Sequence, residues 1–166
     1  MITIRPAAKG DLAAITAIYN DAIINTTATF DTEPKSEQEQ NAWFEAHGNQ
    51  YAVLVAERDG CVIGWASLSR WSDRCAYSST AEVSLYIESD QRGLGTGRKL
   101  FEAVLLEGQK SGLHTVIARM VEGNMPSIHI CRSLGFTDIG VMKEVGRKFG
   151  RLLDVVLMQK IYTEGT

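Results

Sequence analysis

The stretch Ala81–Leu106, A-E-V-S-L-Y-I-E-S-D-Q-R-G-L-G-T-G-R-K-L-F-E-A-V-L-L, decides how this chain is read. A β-branched and aromatic run ends at Ile87, and a short polar bend follows. Arg92, Gly93, Leu94, Gly95, Thr96 and Gly97 then lead into an amphipathic segment with Leu100, Phe101, Val104, Leu105 and Gly108 on one stripe. A glycine-rich bend between a strand and a helix N-terminus is an anion site built from backbone. Its amides can turn inward because glycine lacks a Cβ, and the helix dipole favours negative charge there. The segment therefore suits a pyrophosphate.

Working outward, Thr80 to Ile87 is the strand before the bend, and Gly112 can end the helix after it. Upstream, Ile2 to Arg5 alternates and stops at Pro6, as a first strand would. Asp11 is placed to cap a helix carrying Leu12, Ile15, Ile18, Tyr19 and Ala22. Asn25 to Pro34 has no periodicity and reads as a loop. Ser36-Glu37-Gln38-Glu39 matches a capping box and opens a second helix to about His47. Tyr51 to Glu57 and Cys61 to Leu68 read as strands joined at Asp59-Gly60 in a hairpin. Trp71 to Ser79 is polar and irregular. Downstream come a strand at Thr115 to Val121 and a short helix from Met125 to Leu134, with Pro126 in its first turn. Two more strands are expected, near Thr137 to Val145 and Leu152 to Ile161. The order β-α-α-β-β-β-α-β-α-β-β implies an α/β fold, a mixed sheet with helices on both faces.

A length of 166 residues is expected to form one domain, residues 1–166. Seventeen basic and twenty acidic residues give a formal charge of -3, with no clustered basic footprint for nucleic acid. Cys61, Cys75 and Cys131 are few, odd in number and far apart, which fits a reducing cytoplasm. They form no metal-ligand spacing with His47, His114 or His129, so no metal is expected. No signal peptide or membrane span is expected.

Arg92-Gly93-Leu94-Gly95-Thr96-Gly97 matches the R-x-x-G-x-G/A signature of GNAT-type acyl-CoA N-acyltransferases. Asn124-Met125-Pro126-Ser127, ending in Leu134-Gly135-Phe136, resembles their second signature, and the order of elements agrees along essentially the whole chain. A narrower resemblance is to phosphinothricin and methionine sulfoximine N-acetyltransferases. It rests on Ala28 to Pro34, Arg74 to Tyr77, Thr80 to Tyr86, Val145 to Arg151 and Asp154-Val155. Arg147 stands where that subfamily usually has Tyr, Leu152 where it often has Trp, and Cys131 where it often has His.

The resemblance implies a central, mostly antiparallel twisted sheet, acetyl-CoA as cosubstrate, a small amino-acid-like amine as acceptor, and a homodimer. It places the pyrophosphate on the amides of Gly93, Leu94, Gly95, Thr96, Gly97 and Arg98, with charge from Arg92 and Arg98. The pantetheine arm is expected to pair with Leu85, Tyr86 and Ile87 as an added strand. An N–H near Leu85 would then polarise the thioester carbonyl. Asn124 and Ser133 resemble further cofactor contacts, Asn124 also being suited to cap a helix.

An α-amine of pKa about 8 must lose a proton before it attacks. Glu82 is the candidate base, on one strand face with Ser84 and Tyr86, with its pKa raised if buried. The plainer role for Glu82 is a surface carboxylate paired with a cation. Cys131 aligns with a proton-donor position for the leaving thiolate, although a small buried helix residue is the simpler reading. Arg74 is the candidate for the substrate carboxylate, with Phe30 and Tyr77 lining the pocket or merely packing. Lys148 and Phe149 are implied to contribute across the dimer interface. Phosphinothricin, methionine sulfoximine and methionine sulfone are the leading acceptors. A peptide, polyamine or antibiotic amine, or a non-catalytic acyl-CoA sensor, are the other readings.

Overall fold

A computed structural model describes residues 1–163. The elements follow the expected order: β1 Ile2–Pro6, α1 Leu12–Asn25, α2 Glu37–His47, β2 Val53–Arg58, β3 Cys61–Arg70, β4 Thr80–Ile87, α3 Thr96–Lys110, β5 Thr115–Val121, α4 Met125–Ser133, β6 Thr137–Lys148 and β7 Arg151–Ile161. The seven strands form one sheet in the order β1-β2-β3-β4-β5-β7-β6. Among the described residues, only β4 and β5 run parallel; every other neighbouring pair is antiparallel.

Local chemistry explains most boundaries. Ser36 Oγ accepts from the Glu39 amide at 3.2 Å, and the Glu39 carboxylate accepts from the Ser36 amide at 2.7 Å. This reciprocal pair satisfies two amides at the start of α2. Asp59 and Gly60 both take positive φ, 51° and 81°, as a two-residue hairpin turn requires. Asp11 differs from expectation, because its side chain caps nothing in α1. Its carboxylate instead accepts from the Ala8 amide at 2.8 Å and from Arg5 at 2.8 and 2.9 Å. The stronger charge-assisted partner has claimed the acceptor, and the pair ties the first strand to the first helix. Strand pairing reaches further than periodicity suggested at the C-terminal end. There β6 runs to Lys148, beyond the apolar alternation, because β7 pairs with it as far as Arg151.

Helices cover both faces. On one face α3 and α4 pack Leu100, Val104 and Ile128 against Leu68, Val83, Val116 and Met158. On the other, α1 packs Leu12, Ile15 and Ile18 against Val53, Val55 and Trp65, with Trp43 and Phe44 of α2 at the margin. Gly108 sets how closely α3 lies on the sheet. A Cβ there would stand 2.8 Å from Leu68 Cδ1, so a larger residue would push the helix away.

Candidate active site

The parallel pair β4–β5 is the feature that makes a site. Its ladder holds only from Thr80↔Thr115 to Glu82↔Ile117, although the strands continue to Ile87 and Val121. Beyond Glu82 the two strands diverge, and the gap opens into a cavity of about 460 Å³. Val83 to Tyr86 line one side of it and Ala118 to Val121 the other. The Glu88 amide donates to Ile63 on β3 at 2.9 Å. Backbone groups alternate sides along a strand, so the amides of Val83, Leu85 and Ile87 point towards β5, and those of Leu85 and Ile87, beyond the last rung of the ladder, face the gap. Leu85 thus presents an N–H where β5 no longer takes it.

The glycine-rich turn lies at the end of the same strand. Gly93 and Gly95 have φ of 77° and 82°, in the left-handed region, with nothing within 4 Å of the position a Cβ would take. Gly95 is the N-cap of α3, so the amides of the first turn have no partner within the helix. That open face and those free donors fit an anionic group such as a pyrophosphate. Gly97 packs closely on the strand, its Cβ position 3.5 Å from Leu85 Cδ2. The nearby cations are engaged but close by. Arg92 Nε donates to the Ile87 carbonyl at 3.3 Å, and Arg98 Nη1 to Ser133 Oγ at 2.5 Å. Ser133 of α4 is thereby joined to the first turn of α3. Asn124 lines the cavity and also caps α4, its Oδ1 accepting from the Ser127 amide at 3.4 Å.

Glu82 lies at the apex of the fork and lines the cavity. Its carboxylate accepts two hydrogen bonds from Arg119 of β5, one from Nε and one from Nη2, the latter at 2.8 Å. The cation that the plainer reading required is therefore present, but it lies on the cavity wall and not away from it. Arg119 also stacks over Trp71, 5.5 Å from the ring centroid, and the bond to Glu82 raises its pKa further. Opposite, Thr27 to Asp31 form a roof. Tyr19 of α1 donates its hydroxyl to Asp31 and shares a 3.0 Å hydrogen bond with Thr29 Oγ1. Burial pushes the Tyr86 phenol up to about 12, so it stays protonated at neutral pH.

The other expected residues divide. Phe30 lines the cavity, and it packs on Gly146, where a Cβ would lie 2.2 Å from the ring. Cys131 also lines it, but the side chain is fully buried with Sγ 3.9 Å from Met120 Sδ. Burial pushes its thiol up to about 12, which makes it a poor proton donor and supports the packing role. Arg74 and Tyr77 sit on an exposed turn between β3 and β4, outside the cavity. Lys148, implied to contribute across a dimer interface, has a partner within its own chain. It is buried within its own chain, and its ammonium donates to the Thr29 carbonyl at 2.8 Å. Phe149 is exposed, with the Lys148 ammonium 5.2 Å from its ring centroid. Sequence reasoning missed Tyr19, Asp31 and Arg119. For Arg119 there was a signal: it is the only charged residue in the run Thr115 to Val121.

With this geometry in hand, the family is clear. The chain belongs to the GNAT acetyltransferases: the pattern of the acetyltransferase (GNAT) domain matches residues 1–137. It is 43% identical over 159 residues to an L-methionine sulfoximine/L-methionine sulfone acetyltransferase of Pseudomonas paraeruginosa, covering 95% of this chain and 92% of the relative. It is 37% identical over 165 residues to a phosphinothricin N-acetyltransferase of Alcaligenes faecalis, covering 98% and 84%. Its fold superposes with a TM-score of 0.96 on yncA of Salmonella typhimurium, solved with its cofactor acetyl-CoA, at 39% identity over 100% of this chain and 96% of that one.

Proposed function

We propose that this acetyltransferase moves acetyl from acetyl-CoA to the α-amine of a small amino acid with a tetrahedral polar end group, such as methionine sulfoximine, methionine sulfone or phosphinothricin. The names of its relatives point to these acceptors. The observation that carries the reading is the fork at Glu82, with a free-amide turn at one end and a carboxylate at its apex. The amides of Gly93 to Arg98 hold the pyrophosphate, and the Leu85, Tyr86 and Ile87 segment pairs with the pantetheine arm. The Leu85 N–H donates to the thioester oxygen as negative charge develops there, a contribution of about 3 kcal/mol for one well-placed donor.

Glu82 accepts the proton of the acceptor ammonium, directly or through one water, and the neutral amine attacks the thioester carbon. The C–N bond forms, the C–S bond breaks, and the thiolate leaves with the electron pair. Cys131 is too buried to be a good acid for it. Phe30 walls the acceptor side, and Asn124 and Ser133 lie along the cofactor side.

Residues 1–166 are read as one acetyltransferase domain. Exposed Ile139, Val141, Val145, Phe149 and Leu152 on the β6–β7 hairpin support a homodimer. Its free cysteines fit a cytoplasmic location. No described helix is long and apolar enough to cross a membrane. The test is coenzyme A release with a panel of amines. Turnover is expected with methionine sulfone, methionine sulfoximine or phosphinothricin. Turnover confined to peptides or polyamines would overturn the acceptor class.

A further inference from the structure

We propose that Arg119 reads the carboxylate of the amino-acid acceptor with the edge of its guanidinium that Glu82 leaves free; this rests on the acceptor class proposed above. Among the described residues that line the cavity, Arg119 is the one Arg or Lys, and Asp31 and Glu82 are the carboxylates. A zwitterionic acceptor brings one ammonium and one carboxylate into that cavity. Its ammonium has two acidic neighbours there, and its carboxylate has one basic partner. Arg74, the residue that sequence suggested for the task, is outside the cavity.

The guanidinium has the capacity for both tasks. It is planar, with five N–H donors in a fixed fork. The bonds to Glu82 use the Nε–H and one Nη2 hydrogen. Among the described residues, the Nη1 hydrogens and the second Nη2 hydrogen have no acceptor, and one hydrogen from each nitrogen makes a second edge suited to a carboxylate. The side chain is 50% exposed, so this edge is reachable, and Trp71 beneath it fixes the plane.

The pairing also explains a geometric need. In an α-amino acid the amine and the carboxylate hang from the same carbon. The group that takes the amine proton and the group that holds the carboxylate must therefore be neighbours. Glu82 and Arg119 are neighbours by direct contact, each presented by one strand of the fork. An acceptor whose carboxylate lies on the free edge of Arg119 brings its amine towards Glu82 and the gap where Leu85 shows its N–H. Arg119 then acts twice, as a positioning residue for Glu82 and as a specificity residue for free amino acids.

The two roles separate in one comparison. Methionine sulfone and 3-(methylsulfonyl)propan-1-amine, its decarboxylated counterpart, are assayed with wild type, Arg119→Lys and Arg119→Gln. Calorimetric affinity for acetyl-CoA reports that each variant is folded. Loosening Glu82 lowers kcat/KM for both acceptors. Loss of carboxylate reading lowers it by a further factor of roughly 10 to 100 for the acid alone, the size of a charge-assisted hydrogen bond. Arg119→Lys, which keeps charge without the fork, is expected to recover part of that extra factor. Equal losses on both acceptors, or none on either, would overturn the carboxylate role and leave the acceptor class standing. Wild type that ignores every acid of the panel but acetylates other amines would overturn the acceptor class, and this inference with it.

Discussion

The two halves of the cavity are built in opposite ways. The half proposed for the cofactor, Leu85 to Arg98, is one uninterrupted stretch of chain, and its donors are mostly backbone amides. The half proposed for the acceptor is assembled from Tyr19, Thr27 to Asp31, Glu82, Arg119 and Val145, which one helix, one loop and three strands bring together. Its contacts are mostly side chain to side chain, as between Tyr19 and Asp31 or Arg119 and Glu82. A backbone site depends on conformation, so its sequence must supply glycine where φ is positive. A side-chain site depends on which residues happen to face one another, and any type that fits the fold can be recruited. The first kind of site is therefore recognisable in a short run of letters, whereas the second becomes visible only when the strands are in register.

The sharpest way to break this division is at Glu82, the carboxylate of the side-chain half. Glu82→Gln keeps the size of the side chain and can still accept from Arg119. It removes the base, and turnover is expected to fall by about 10²–10⁴-fold. Affinity for acetyl-CoA, measured by calorimetry, should stay as in wild type, because Glu82 touches no part of the glycine turn. Turnover at the wild-type rate across the pH range would show that the carboxylate serves only to hold Arg119.

What could be read in advance follows the same line. The element order was legible because strands and helices announce themselves through periodicity, caps and turns, as at Ser36 and Asp59-Gly60. The glycine turn and Glu82 were legible as a strand-to-helix unit because both lie in one segment. Arg119 was not, since Glu82 and Arg119 are 37 positions apart and meet only through the parallel register Glu82↔Ile117. The contact that Lys148 makes within its own chain was not legible for a similar reason. Its partner is a carbonyl at Thr29, 119 positions away, and a carbonyl leaves no mark in a sequence. Asp11 failed differently: a capping residue was identified, and a nearby guanidinium won its carboxylate.

A second variant probes the cofactor half alone. Gly95→Val places a β-branched side chain at φ 82°, at a strain of about 1–2 kcal/mol, and fills the open side of the turn. Affinity for acetyl-CoA is expected to drop at least about tenfold, a loss of about 1.4 kcal/mol of binding free energy. The thermal midpoint should fall by only a few degrees. A folded variant with unchanged affinity would remove the pyrophosphate from this turn.

The smallest expected effect lies in the acceptor half, at Lys148. Burial pulls its pKa below the ordinary lysine value, so the ammonium is held at some cost, offset by its 2.8 Å hydrogen bond to the Thr29 carbonyl. Lys148→Met keeps the length and the apolar stem but removes that bond. The change in stability is expected to be within about 1 kcal/mol, because the lost hydrogen bond and the relieved desolvation oppose each other. The roof it pins is a different matter. Thr29 hydrogen-bonds Tyr19, and Phe30 rests on Gly146, so a freed Thr29 carbonyl lets the segment from Thr27 to Asp31 shift over the acceptor. KM for the amine should rise a few-fold while affinity for acetyl-CoA holds. A variant that weakens both ligands equally would mean that the two halves are mechanically one, and the separation between a backbone site and a side-chain site would fail where the roof meets the sheet.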